Sequence, residues 1–202
     1  RPVGSTTPTY GNVIENCLVD NFASGYDYGQ MIVSEDGLVD NCTVKDQIFT
    51  SAYSVFGKGA SLRNSRTINC KHFLYLDTVN VDHLSIIGCT ATDLGGNFAR
   101  FVPAVGFSQH DISVADNHVG FAPGVNGTFF AASPPNSTHL YNVKLVGNVC
   151  DQSSGQYTPW VIQGVDNFYE SGNTWLGTVR SPQYDVALYE PNYNLHAQTP
   201  QN

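Results

Sequence analysis

Short apolar runs, each closed by a polar residue, recur along the chain, and no window sustains the 3.6-residue spacing of an amphipathic helix. One phrase returns: Val13-Ile14-Glu15-Asn16-Cys17-Leu18-Val19-Asp20-Asn21, then Leu38-Val39-Asp40-Asn41-Cys42-Thr43-Val44-Lys45-Asp46. It reads as two apolar residues, a polar one, Asn, a small or apolar residue, and a second apolar pair that a polar residue ends. Looser copies place pivots at Asn64, Gly88, Asn117, Asn148 and Asn173, giving steps of 25, 23, 24, 29, 31 and 25 residues over the seven pivots. One motif per period of this size is the signature of a solenoid.

Each period predicts three strands. The first precedes the pivot, as at Gly37–Asp40 and Leu84–Ile87. The second follows it, as at Cys42–Lys45 and Cys89–Thr92, and a polar stop closes it at Asn21, Asp46, Asn69 and Asp93. The third lies beyond a variable connection: Gln30–Ser34, Ala52–Phe56, Phe73–Thr78, Arg100–Val105, Thr128–Ala132 and Pro159–Gln163. The pivot tolerates Asn and Gly, the residues that enter left-handed backbone most readily, so a sharp left-handed bend is expected there. Three strands per period, stacked in parallel, describe an all-β fold: a single-stranded right-handed parallel β-helix of about seven coils. Propellers need about 40 residues per blade, and leucine-rich repeats need a second, leucine-spaced segment. Stacking predicts inward columns, one of them Ile14, Val39, Leu62, Ile86, Ala115 and Val146, another Val19, Val44, Thr67 and Ala91.

Composition changes this picture little. Charged residues make up only 13% of the 202, the formal charge is −8, and Tyr and Phe number 11 each. The acidic balance argues against nucleic acid and anionic membranes as partners. No apolar run approaches the ~18 residues of a membrane-spanning helix. Cysteines number five, an odd count, and three of them (Cys17, Cys42, Cys89) share one repeat position. Strands stacked ~4.8 Å apart hold Cβ atoms beyond the ~3.8 Å of a disulfide, so these thiols read as buried apolar filler. His118 is placed on the same column. His110-Asp111 opens a strand, where alternation is expected to point the two side chains apart.

The Asn pivot between two short strands, with elastic loops flanking a third, resembles the pectate-lyase-like right-handed β-helix superfamily. The Gly-, Tyr- and Asn-rich style is most similar to bacteriophage tailspikes and capsule depolymerases. The resemblance covers residues 12–176; residues 1–11 are expected to be a lead-in continuing from preceding chain, and 177–202 a C-terminal cap. It implies a homotrimer acting outside the cell or on a virion, with a bacterial surface polysaccharide as ligand; binding alone and binding with hydrolysis both stand, and no cofactor is expected. Alternatives are a calcium-dependent lyase of the pectate-lyase type and a non-catalytic shaft. Superfamily members bind glycans on the third-strand face, which here carries Tyr53, Tyr75, Arg100, Phe101, Trp160 and Gln163 as candidate contacts. A strand aromatic is otherwise core, and both readings stand for each ring. Glycoside hydrolysis needs two carboxylates, and Asp77 with Glu35 or Asp93 is the expected set. No metal-ligand spacing is legible in the sequence.

Overall fold

The computed structural model describes residues 11–20, 31–55, 57–76, 80–103, 105–133, 140–152, 156–184 and 195–196. Within them every regular element is a strand, and the strands form three parallel sheets. The first sheet holds Val13–Glu15, Leu38–Asp40, Ser61–Arg63, Ser85–Ile87, Gln109–Ala115, Leu140–Val146, Val165–Ser171 and Leu195–His196, with Gly57–Lys58 and Val81–Asp82 beside it. The second runs from Leu18–Val19 through Thr43–Lys45, Arg66–Ile68, Thr90–Leu94, His118–Phe121 and Val149–Asp151 to Thr174–Trp175. The third runs from Met31–Val33 through Ser51–Val55, His72–Leu76, Asn97–Phe101, Asn126–Ala132 and Gln156–Ile162 to Gln183–Tyr184. Each strand pairs with its counterpart one period away, which is the right-handed parallel β-helix expected from the period. The stretch expected as a cap adds Gln183–Tyr184 to the third sheet and Leu195–His196 to the first, both in parallel register.

Three left-handed residues turn the chain in most coils. The corner between the first and second sheets is formed by Asn16, Asn41, Asn64, Gly88, Asp116, Gly147 and Gly172, with φ between 47° and 65°. This revises the pivot column. In the first four coils the Asn or Gly is itself the corner, and Cys17, Cys42, Ser65 or Cys89 follows it. In the last three the corner is Asp116, Gly147 or Gly172, and the Asn has moved one place on. The inward column therefore ends in Val114 and Leu145, not Ala115 and Val146. A one-residue slip exchanges the two faces of a strand. Val114-Ala115 and Leu145-Val146 are apolar at both positions, so alternation alone does not reveal it.

The slip matters energetically. At the corner itself, exposed side chains form an outer ladder: Asn41 Nδ2 donates to Asn16 Oδ1 at 2.7 Å, and Asn64 Nδ2 to Asp40 Oδ1 at 2.9 Å. One place on, Asn117 and Asn148 are buried and form an inner ladder. Asn117 Nδ2 donates to Asn148 Oδ1 at 2.9 Å and Asn148 Nδ2 to Asn173 Oδ1 at 2.8 Å. The same amides also satisfy the Ile86 and Val114 carbonyls, at 3.0 and 2.9 Å. The buried thiols of Cys42 and Cys89 occupy this position lower in the stack, contacting the Ile14 and Leu62 carbonyls, and no described cysteine forms a disulfide. Burial pushes the Cys89 thiol up to about 12, so it stays protonated. His118 is not on this column: it pairs with Thr90 and Val149 and is exposed.

The core is filled from the third sheet by rings stacked one per coil. Tyr53, Phe73, Phe98 and Phe129 follow one another with centroids 4.8, 4.5 and 5.0 Å apart. Trp160, with Trp175 reaching in from the second sheet, closes the stack at 5.9 Å. Phe98 belongs to the strand Asn97–Phe101, three residues earlier than the Arg100–Val105 expected from the sequence. Gly95 and Gly96 look like loop residues but lead directly from the Asp93 corner into that strand.

Candidate functional site

The third-sheet candidates divide by depth. Tyr53, Phe101 and Trp160 are fully buried, which makes them core rings and not a sugar platform. The Tyr53 hydroxyl donates inward, to the carbonyls of Arg66 at 2.9 Å and Cys42 at 3.2 Å. The ring of Phe101 lies 5.3 Å from that of Phe130. Tyr75 and Arg100 are half-buried neighbours in register, and the guanidinium lies 5.1 Å over the phenol ring, a cation–π contact. Gln163 is half-buried, its backbone N–H bonded to the Ala132 carbonyl at 2.9 Å. Asp77 lies outside the described residues. Glu35 is half-buried just before the left-handed Asp36 that leads into the first sheet, whereas Asp93 is an exposed left-handed corner closing the second. Glu35 and Asp93 thus stand on different corners of the coil. Asp93 instead lines a groove of about 470 Å³ on the second sheet with Arg66, His118 and Asp151.

A denser set of chemical groups lies on the first sheet. Its left-handed column is Asp36, Gly59, His83, Asp111, Asn142 and Asn167. In the middle of the stack, Asp82 pairs in register with His110, so Asp82-His83 in one coil lies beneath His110-Asp111 in the next. Carboxylate and imidazole alternate both along the chain and between coils. His110 Nδ1 is 2.8 Å from Asp111 Oδ2 and 3.2 Å from Asp82 Oδ1. His83 Nδ1 also contacts Asp82 Oδ1, and its Nε2 is 3.9 Å from Asp111 Oδ2. Lys58 Nζ lies 3.7 Å from the other Asp82 oxygen.

This contradicts the expectation that His110 and Asp111 point apart. Alternation holds only for extended backbone. Asp111 has φ 54°, a left-handed kink inside the strand Gln109–Ala115, and it brings the carboxylate back beside the preceding imidazole. The hydrogen bond from His110, and a second from Asn142 Nδ2 at 2.8 Å, hold the Asp111 carboxyl below its ordinary range. It is therefore an ionised acceptor at neutral pH.

A groove with a volume of about 790 Å³ runs beside this cluster along the helix axis. One wall is the kinked column of His83, Asp111, Asn142 and Asn167. The other is the outward row Ser85, Ser113, Lys144 and Tyr169, in register across four coils. Lys144 and Tyr169 are exposed, Tyr169 by 43%. The crease exists because the left-handed residues bend the first sheet. It supplies hydroxyls, amides, a cation, a carboxylate and one aromatic face.

Sequence reading missed Asp82, His83, His110 and Asp111 as a group. The legible signal was the inverted dipeptide, Asp82-His83 followed 28 positions later by His110-Asp111. It becomes visible only once the coils are aligned on the left-handed column.

Fold and groove together define the class of this protein: a right-handed parallel β-helix solenoid with a polar groove along its first sheet. Beyond the class, no known family model, no curated protein and no solved structure matches the chain.

Proposed function

We propose that this β-helix binds an extended polysaccharide along the first-sheet groove, as a tailspike-type recognition protein for a bacterial surface glycan. The observation that supports this most is the groove's direction and lining. It crosses four coils and offers a ladder of polar groups that rises by one strand spacing per coil, ending at exposed Tyr169. A polymer with many hydroxyls matches such a track better than a compact ligand does. Asn142, Asn167 and the serines serve hydroxyls, Lys144 serves an acidic substituent, and the Tyr169 ring serves the apolar face of a sugar. The trimeric state and a place on a virion or outside the cell belong to the same proposal and rest on the resemblance of the repeat. On this reading the binding face is the first sheet and not the third sheet expected from the sequence.

The test is a titration of the protein against a panel of bacterial capsular polysaccharides and O-antigens. Saturable binding to one glycan, weakened tenfold or more by Tyr169→Ala or Lys144→Ala and unaffected by Tyr75→Ala, is the expected result. Tenfold corresponds to about 1.4 kcal/mol, within reach of one aromatic contact. Loss of binding in Tyr75→Ala alone would return the site to the third sheet. Silence across the whole panel would leave a structural shaft.

A further inference from the structure

We infer that Asp82, His110 and Asp111 form a site for a divalent transition-metal ion, Zn²⁺ or Mn²⁺ in class, at the head of the groove. One donor atom from each lies within 4.8 Å of the others. The set is one imidazole nitrogen and two carboxylate oxygens. An imidazole in the first sphere favours zinc-like ions over calcium, which takes oxygen donors only. Tetrahedral bonds of about 2.0–2.2 Å would put neighbouring donors about 3.4 Å apart. His110 Nδ1 already lies 3.2 Å from Asp82 Oδ1 and 2.8 Å from Asp111 Oδ2, and all three donors lie within 4.8 Å of one another, so side-chain rotation alone brings them to that spacing.

Two further features point to a cation. First, the outer partners hold the oxygens that the ion would leave over. Lys58 Nζ approaches Asp82 Oδ2, leaving Oδ1 facing the cluster, and Asn142 Nδ2 binds Asp111 Oδ1, leaving Oδ2. Such outer-sphere bonds orient ligands in metal sites. Second, Asp82 Oδ1 is sealed from solvent and accepts no hydrogen bond of acceptable geometry, although two imidazole nitrogens are near it. A buried carboxylate oxygen that faces two imidazole nitrogens without a well-formed hydrogen bond to either has a lone pair to offer a cation. Asp82 and Asp111 supply two negative charges against the one of Lys58. His83, touching Asp82, stands ready as a fourth donor or an outer-sphere partner.

The alternative is a protonated His110 clamped between the two carboxylates, with no ion. The experiment separates them without any glycan, so its failure is distinct from failure of the binding groove. The full chain is stripped with chelator and dialysed against ZnCl₂ or MnCl₂. Retained metal is counted by mass spectrometry, affinity is measured by calorimetry, and Co²⁺ is added to read ligand-field absorption. The expected result is saturation at one ion per chain. Asp111→Asn should weaken it at least the ~10–100-fold that follows loss of even an outer-sphere partner. That variant preserves the corner, because Asn142 and Asn167 hold the same left-handed position in the next two coils. Asp82→Asn should weaken binding likewise, and His118→Gln, exposed on the second sheet, should not. Ion loading that does not saturate, or equal affinity in Asp111→Asn, Asp82→Asn and the parent, overturns the site and leaves the imidazolium clamp.

Discussion

The inner asparagine ladder makes a quantitative prediction at Asn148. Its side chain is fully buried and makes four hydrogen bonds. Nδ2 donates to the Val114 carbonyl at 2.9 Å and to Asn173 Oδ1 at 2.8 Å, while Oδ1 accepts the Asn117 backbone N–H at 3.1 Å and Asn117 Nδ2 at 2.9 Å. In Asn148→Ala the two side-chain partners keep other bonds. Asn117 Nδ2 retains the Ile86 carbonyl, and Asn173 Oδ1 retains the Asn148 backbone N–H. The Asn117 N–H loses this partner in a dry interior, while the Val114 carbonyl keeps its place in the ladder with the strand Leu140–Val146. At about 1–3 kcal/mol for the orphaned N–H and about 0.5–1.5 kcal/mol for each of the other lost bonds, the substitution should cost about 3–5 kcal/mol. The comparison is Asn64→Gly, on the outer ladder, where the lost bond to Asp40 is exposed and glycine suits the left-handed corner. Its cost should stay within about 1 kcal/mol. Urea unfolding followed by circular dichroism measures both, and hydrogen exchange at the Asn117 amide localises the effect. Equal losses in the two variants, or a loss below about 1 kcal/mol for Asn148→Ala, would refute the distinction between ladders.

Other consequences can be measured alongside. His72 is held at about 4, chiefly by burial and then by Lys71 and Arg100, and its Nδ1 accepts the Asn97 N–H at 2.9 Å. Its folded value lies below the ordinary ~6.5, so its contribution is intact above that pH and falls as the pH drops from about 6.5 to about 4. The loss should reach about 2–3 kcal/mol, and His72→Gln should flatten that part of the stability–pH curve. Phe98→Ala empties the centre of the ring stack, 4.5 Å from Phe73 and 5.0 Å from Phe129, and should cost about 3–5 kcal/mol in the same unfolding assay. At the Gly88 corner a new Cβ would meet Asn64 Oδ1, the end of a side chain, at 3.0 Å. Gly88→Asn should therefore melt close to the parent. Gly88→Val, forced into left-handed backbone, should lose about 2 kcal/mol or more.

The period, the three strands per coil and the polar corners were legible in the sequence because stacking forces like residues into columns. A motif such as Leu38-Val39-Asp40-Asn41-Cys42 carries its own register, since its apolar pair, its corner and its inward thiol are chemically different. Where chemistry did not distinguish neighbours, the reading failed. Val114-Ala115 and Leu145-Val146 hid the slip of the corner onto Asp116 and Gly147. Nothing in Phe98 or Phe101 says which faces in, and both do.

The sequence by itself therefore determined the solenoid, its parallel stacking and its left-handed turns, all properties that local backbone preference and one-dimensional repetition dictate. Tertiary structure alone decided which rings became core, and it brought Asp82, His83, His110 and Asp111 together beside a groove. That cluster depends on a kink at Asp111 that overrides strand alternation and on a register between coils 28 residues apart. Neither is a local property of the chain, and a side chain's neighbours across a stack are set by how the whole coil closes.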